Sequence, residues 1–211
     1  MKFTVFGATG GIGQEIVRQA LAAGHEVTAV VRNPARLTVK GEGLEIVTAG
    51  LDDPEALRPA VAGRDAVFSG LGPRTMKQVG IASGLTRVIL RALDAEGVRR
   101  FLVVSAAPLG PVPENETFLL RYIGTPLISR ILRKHYDDLR TMEAQLRNSA
   151  TDWTSVRPPK LVDAPVTGVY RTAVGANLRG GSKIGRADVA HAMLAMVDDA
   201  ATLKQAVGVA Y

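Results

Sequence analysis

The sequence predicts an α/β protein built on a doubly wound parallel sheet, and three observations predict it. Short apolar runs recur through the first half of the chain, at Lys2–Phe6, Glu26–Val31, Leu44–Thr48, Asp65–Ser69 and Phe101–Ser105. Segments with helical spacing or helix-capping signals lie between most of them, and the connections are short. The first run feeds straight into a glycine-rich turn, Gly7-Ala8-Thr9-Gly10-Gly11-Ile12-Gly13. Apolar strands separated by helices are those of a parallel sheet covered on both faces.

After the turn, Ile12, Ile16, Val17, Ala20 and Leu21 share one helical face. Pro54–Val61 reads as a helix, with Asp52-Asp53 as cap candidates and Pro54 at its first position. A long helix is expected from Thr75 to Glu96, stopped by Gly97. Beyond Ser105 the texture changes. Pro108, Pro111 and Pro113 mark an irregular loop, Thr117–Leu132 reads as an apolar helix, and Lys134–Asn148 as a polar one. Trp153–Arg157 is a sixth strand, halted by Pro158-Pro159; residues 160–183 read as loop. A last amphipathic helix opens at Gly185-Arg186-Ala187-Asp188 and carries Val189, Met193, Leu194 and Val197. At 211 residues one domain is expected over 1–211, with substrate-side elements at about 106–133 and 158–185.

Composition narrows the function. With no cysteine there is no disulfide or thiolate metal site, and three scattered histidines argue against any metal site. The net charge of +6 is spread along the chain without a basic run, so no nucleic-acid partner is expected. Arg121, Pro126 and Arg130 interrupt the one long apolar cluster, so no membrane span is expected, and without a visible targeting segment the expected location is cytoplasmic.

A strand, a glycine turn and a helix in immediate succession form a dinucleotide-binding device, the Rossmann arrangement. Gly7 turns the chain off the strand, Gly10 leaves room for a diphosphate, and Gly13 lets the helix pack closely on the sheet. Thr9, Gly10, Gly11 and Ile12 then present the helix N-terminus to the phosphates. An NAD site ends its second strand with a carboxylate for the ribose 2′-hydroxyl. Here that place holds Arg32, with Arg36 four residues on, and two guanidinium groups suit a 2′-phosphate; the expected cofactor is NADP (NADPH). Arg36 alone is also readable as a solvent-facing loop residue. Leu51 and Asp52 follow the third strand, where an acidic side chain reaches toward the adenine. Gly70, Leu71 and Gly72 follow the fourth, with Arg74 placed to hold phosphate or substrate. Ser105 and Ala106 end the fifth strand; Pro158, Pro159 and Lys160 follow the sixth, on the nicotinamide side.

These residues give the chain a resemblance to the atypical short-chain dehydrogenase/reductases, within them to the NAD(P)H-binding, NmrA-like group that includes the flavin reductase type of biliverdin reductase. The resemblance runs almost the whole length. Its narrower blocks are Arg157-Pro158-Pro159, Thr167-Gly168-Val169-Tyr170, Gly185-Arg186-Ala187-Asp188 and the terminal Tyr211. It implies an NADPH-binding monomer or weak homodimer that passes hydride to flavins, quinones or biliverdin-type tetrapyrroles, or else a dinucleotide sensor without turnover. Two departures stand out. Leu51 occupies the place of an Asp near the adenine, and Leu139 follows Asp137-Asp138 where the flavin reductase relatives carry His.

The candidate catalytic residues are Ser105 and Tyr136. The family's usual Tyr-x-x-x-Lys becomes Tyr136-Asp137-Asp138-Leu139-Arg140, and Arg is no plain substitute for Lys because it stays protonated. Tyr136 is also readable as an ordinary helix residue. Reduction of a planar acceptor such as a flavin or quinone has less need of that pair, since solvent can supply the proton.

Overall fold

The computed structural model describes residues 1–73, 75, 78–111 and 132–211. Its strands are β1 (Lys2–Phe6), β2 (Glu26–Val31), β3 (Leu44–Thr48), β4 (Ala66–Ser69), β5 (Arg100–Val104), β6 (Asp152–Arg157), β7 (Lys160–Val162), β8 (Arg171–Val174), β9 (Lys183–Gly185) and β10 (Gln205–Ala210). Its helices of more than one turn are α1 (Gly11–Ala22), α2 (Pro54–Val61), α3 (Ile81–Ala95), α4 (Arg133–Arg147) and α5 (Arg186–Ala195). Eight strands make one sheet in the order β3-β2-β1-β4-β5-β6-β10-β8, parallel throughout except for the β10–β8 edge. Strands β7 and β9 form a separate parallel pair. This is a Rossmann-like sheet, and its direction of winding reverses between β1 and β4.

Both faces of the sheet are buried at its central strands, which is why those sequences are largely apolar, while the edge strands β3 and β8 are mostly exposed. Phe3 and Val5 of β1 and Leu102 of β5 pack with Ile16 and Val17 of α1 and Val189 and Met193 of α5. Phe6, Phe101 and Val103 point the other way, onto Leu57 of α2, Ile89 and Leu93 of α3, and Met142 and Leu146 of α4. Polar groups inside this core are paired. Buried Arg100 donates to the carbonyls of Met196 and Val197 at the end of α5 and to the Asp152 carbonyl at 2.7 Å. Burial lowers its pKa to about 10, which leaves it a cation at neutral pH, suited to a helix C-terminus.

The structure departs from the sequence reading in three places. The helix expected from Thr75 begins only at Ile81, because Gly80 sits at φ +80° and breaks the helical path. Residues 160–183 are not simply loop: they supply β7 and β8 and the start of β9, short strands with little apolar alternation to announce them. Gln205–Ala210 adds a seventh parallel strand that the sequence reading passed over. The expected apolar helix at Thr117–Leu132 falls almost wholly outside the described residues.

One backbone contact holds β1, α1 and the end of β4 together. Gly7 has φ +74°, and a Cβ there would lie 2.9 Å from the Gly70 carbonyl carbon. A Cβ on Gly13 would lie 2.2 Å from the Gly7 carbonyl oxygen. Backbone cannot yield as a flexible side-chain end can. Gly13→Ala is therefore expected to destabilise the fold by ~3 kcal/mol or more. Gly84→Ala in α3, where an added Cβ meets no described residue within 4 Å, should stabilise it by roughly 0.5–1 kcal/mol. Thermal unfolding of the two variants checks this; equal effects would contradict it.

Candidate functional site

The carboxyl ends of β1 and β4 meet at the reversal point, with Phe6 level with Ser69 across the pair and with Val30 of β2 on the other side. The residues that follow these ends open a cleft of about 290 Å³. Its floor is backbone: Gly7, Thr9, Gly10, Gly11 and Ile12 from the glycine turn, and Gly70, Leu71, Gly72 and Pro73 from the segment after β4. Val30 and Val31 with Leu51 form one wall, and Ile81, Leu85 and Leu161 add apolar surface. Among the described residues two cations line it, Arg32 and Arg186, and no carboxylate does. Gly10 is the residue before α1 and has no side chain to cap that helix. Its first N–H groups and positive pole are thus available to an anion. A narrow, glycine-floored cleft with apolar walls and two guanidinium groups fits an anionic dinucleotide.

Of the residues expected to bind cofactor, Gly7, Thr9, Gly10, Gly11, Ile12, Arg32, Leu51, Gly70, Leu71 and Gly72 line this cleft. Gly13 lies behind it, in the packing contact described above. Arg36 is exposed at the end of a single 3-10 turn, Pro34–Arg36, away from the lining. Asp52 is exposed beside Gly50, and Leu51 rather than Asp52 faces the cleft. Arg74 falls outside the described residues. Ser105, Ala106, Pro158, Pro159 and Lys160 stand farther along the carboxyl edge, where the amide of Ala107 donates to the Pro158 carbonyl at 2.9 Å; Lys160 is exposed.

The two candidate catalytic residues are placed differently from each other. Ser105 is buried, and its hydroxyl donates to Glu143 of α4 at 2.9 Å. The same carboxylate accepts Ser155 at 2.8 Å and Arg157 in a two-pronged pair at 2.9 and 2.5 Å. Glu143 is only 3% exposed. Burial by itself pushes its pKa up, but the Arg157 guanidinium and the two hydroxyl donors outweigh burial and hold it below the ordinary carboxylate range. Tyr136 is also buried, and burial raises its pKa, so it is a firmly protonated phenol. Arg140 turns instead to Asp137, at 2.7 Å on the surface, where it does nothing to lower the phenol's pKa. Asp138, adjacent in sequence, is buried and accepts the amides of Ala82 and Ser83 at 3.0 Å each. It thereby caps α3, whose own preceding residue, Gly80, has no side chain to do so.

Glu143, Arg157 and Arg186 had no role in the sequence reading. A signal existed for the first two: an arginine ending an apolar strand needs a buried counter-charge. Its partner lies 14 residues upstream on a helix and cannot be picked out from spacing. Among the described residues no cluster of metal-ligating side chains is present, and no helix is long and apolar enough to cross a membrane.

Comparison with known proteins agrees with this geometry. The profile of a family described as NAD(P)H-binding matches residues 7–200. A Streptomyces griseus (4-alkanoyl-5-oxo-2,5-dihydrofuran-3-yl)methyl phosphate reductase is 32% identical over 73% of this chain and 46% of its own. This chain thus spans less than half the length of that curated relative. A solved Streptococcus pneumoniae structure, described as a candidate NADH-flavin reductase, is 28% identical with a TM-score of 0.81, covering 100% of this chain and 99% of its own. A Veillonella parvula short-chain dehydrogenase/reductase, solved in complex with NADP, has the same fold at 21% identity and a TM-score of 0.81, over 100% of this chain and 94% of its own.

The Glu143 knot carries a pH-dependent prediction. Its folded pKa lies below the unfolded value of about 4.3, so its contribution is complete above that pH and lost as pH falls through the folded pKa. Glu143→Gln strands the buried Arg157 and is expected to cost roughly 3–5 kcal/mol at pH 7. The gap from wild type should shrink below about pH 4.3 in denaturant titrations. A gap that is constant down to pH 3 would contradict the account.

Proposed function

Because the chain belongs to the NAD(P)H-binding family, we propose that it is an NADPH-dependent reductase that passes hydride to a planar acceptor such as a flavin or quinone. The single observation that carries the cofactor half of this reading is Arg32, exposed at the end of β2 and lining the cleft where an NAD site would place a carboxylate. Its guanidinium suits a 2′-phosphate; Arg32 and Leu51 would hold the adenosine end, and the amides at the start of α1 would hold the diphosphate. When bound, NADPH supplies the hydride. The chain's part is to hold the dinucleotide in one pose and leave its nicotinamide end toward the segments after β5 and β6.

The acceptor half rests on the state of the candidate acid–base residues. The hydroxyl of Ser105 is committed to Glu143, and among the described residues no cation lowers the pKa of Tyr136, which burial raises. A carbonyl substrate that must be protonated by a tuned Tyr is poorly served by this arrangement. A flavin or quinone, protonated from solvent after hydride transfer, is well served, and the described role of the Streptococcus pneumoniae relative supports that class. The same two placements also suit a dinucleotide sensor without turnover, which is the alternative reading.

Steady-state NADPH oxidation with FMN, FAD and a soluble quinone separates the two. Turnover with at least one acceptor is expected, and Tyr136→Phe should keep it within about threefold, since no proton from that phenol is required. Tight NADPH binding without turnover on any acceptor would sink the reductase reading. Arg32→Asp should raise the KM for NADPH by roughly 10–100-fold, the value of one or two charge-assisted hydrogen bonds, and that for NADH far less. Equal effects on the two cofactors would defeat the 2′-phosphate assignment.

A further inference from the structure

Arg186, the second cation of the cleft, has no part in the reading so far. It is the first residue of α5, and the start of that helix is tied down on several sides. Asp188, buried in the first turn, accepts the amides of Thr167 and Gly168 at 2.8 and 2.9 Å and the hydroxyls of Thr167 and Tyr211 at 2.8 and 2.6 Å. The Tyr211 hydroxyl in turn accepts the Gly185 amide at 3.0 Å. Pairing of β9 with β7 sets Ile184 against Leu161. From this anchored start the Arg186 side chain runs across Gly11, the first residue of α1. A Cβ on Gly11 would lie 2.5 Å from its Cδ and 3.0 Å from its Nε.

That position is electrostatically odd. The N-terminus of α1 and the N-terminus of α5 itself are positive poles, and a guanidinium beside them is unfavourable unless an anion joins it. Asp163 answers in part, at 2.6 Å from Arg186 Nη1, yet its side chain is 92% exposed and that of Arg186 32%. So exposed a pair is weak and readily exchanged. Arg186 lines both the cleft and a second hollow of about 300 Å³ that holds Asp163 with Gln14 and Thr38, so it stands between its present partner and the glycine turn.

We propose that Arg186 is a ligand of the cofactor's diphosphate, held in waiting by Asp163, which competes with the diphosphate for it. The proposal rests on the dinucleotide reading above. Gly11 belongs to the device, because any side chain there would push Arg186 off the loop. Arg186 and Arg32 then divide the anion between them. Arg186 meets the diphosphate common to NADPH and NADH, and Arg32 meets the 2′-phosphate of NADPH alone.

Fluorescence titration of the full chain with NADPH and NADH at low salt tests the proposal, with thermal unfolding checked for each variant. Arg186→Gln should raise both dissociation constants by the same factor, about tenfold, for one lost charge-assisted contact. Asp163→Asn, at an exposed position that does not threaten folding, should lower both, by about twofold to fivefold, because the competitor is gone. A merely structural tie would make the two variants change affinity in the same direction. Unchanged affinity in Arg186→Gln, or weaker binding in Asp163→Asn, would overturn the proposal while the dinucleotide reading stands. Wild-type protein that binds neither nucleotide would overturn both.

Discussion

Three glycines at van der Waals limits are the constraint on which the rest of the structure depends. Gly13 sits with its Cα against the Gly7 carbonyl, and Gly7 lies against the backbone of Gly70, so α1 and the carboxyl ends of β1 and β4 meet without an intervening side chain. The consequence reaches from packing to chemistry. Helix α1 begins at the floor of the cleft with its amides uncapped, and the loop after β4 forms the opposite side of the same floor. A single methyl group in that contact would separate the elements that make the anion site.

Around that floor the structure keeps its charges either firmly paired or deliberately exposed. Glu143 with Arg157, Asp188 with Tyr211 and Thr167, and Asp138 with the α3 amides are buried and saturated with donors. They hold the carboxyl ends of β5 and β6, the start of α5 and the start of α3. Arg32 and Arg186 line the cleft, and Arg186 is held by the exposed Asp163 outside it, so a guanidinium there can change partners at little cost. The buried set positions, and the exposed set is left to bind.

Much of this was legible in the sequence, and the division between legible and hidden follows sequence distance. The strand–turn–helix at residues 2–22 and the β2 run declare themselves locally, because a parallel strand buried on both faces must be apolar along its length. The Asp53 cap of α2 is equally local: its side chain accepts the Glu55 amide at 3.0 Å. Gly80 was a missed local signal: a glycine within an expected helix can equally be its start. Strands β7, β8 and β9 are three or four residues long and depend on partners elsewhere in the chain. In the site, the glycines and Arg32 could be read because their spacing from β1 and β2 is short and set by the fold. Glu143 could not, since its role arises only when α4 packs beside β5 and β6, and Arg186 could not, since it reaches Gly11 from the far end of the chain. Tyr136-x-x-x-Arg140 shows the opposite hazard: the spacing suggests a pair, and the structure gives Arg140 to Asp137 instead.

The central claim is that the cleft over α1 takes a dinucleotide bearing a 2′-phosphate. Isothermal titration of the wild-type protein with NADPH and with NADH tests it most directly. The account predicts NADPH binding at least about tenfold tighter at low ionic strength, with the advantage shrinking as salt screens the exposed Arg32. Equal affinity for the two nucleotides, or a preference for NADH, would contradict it.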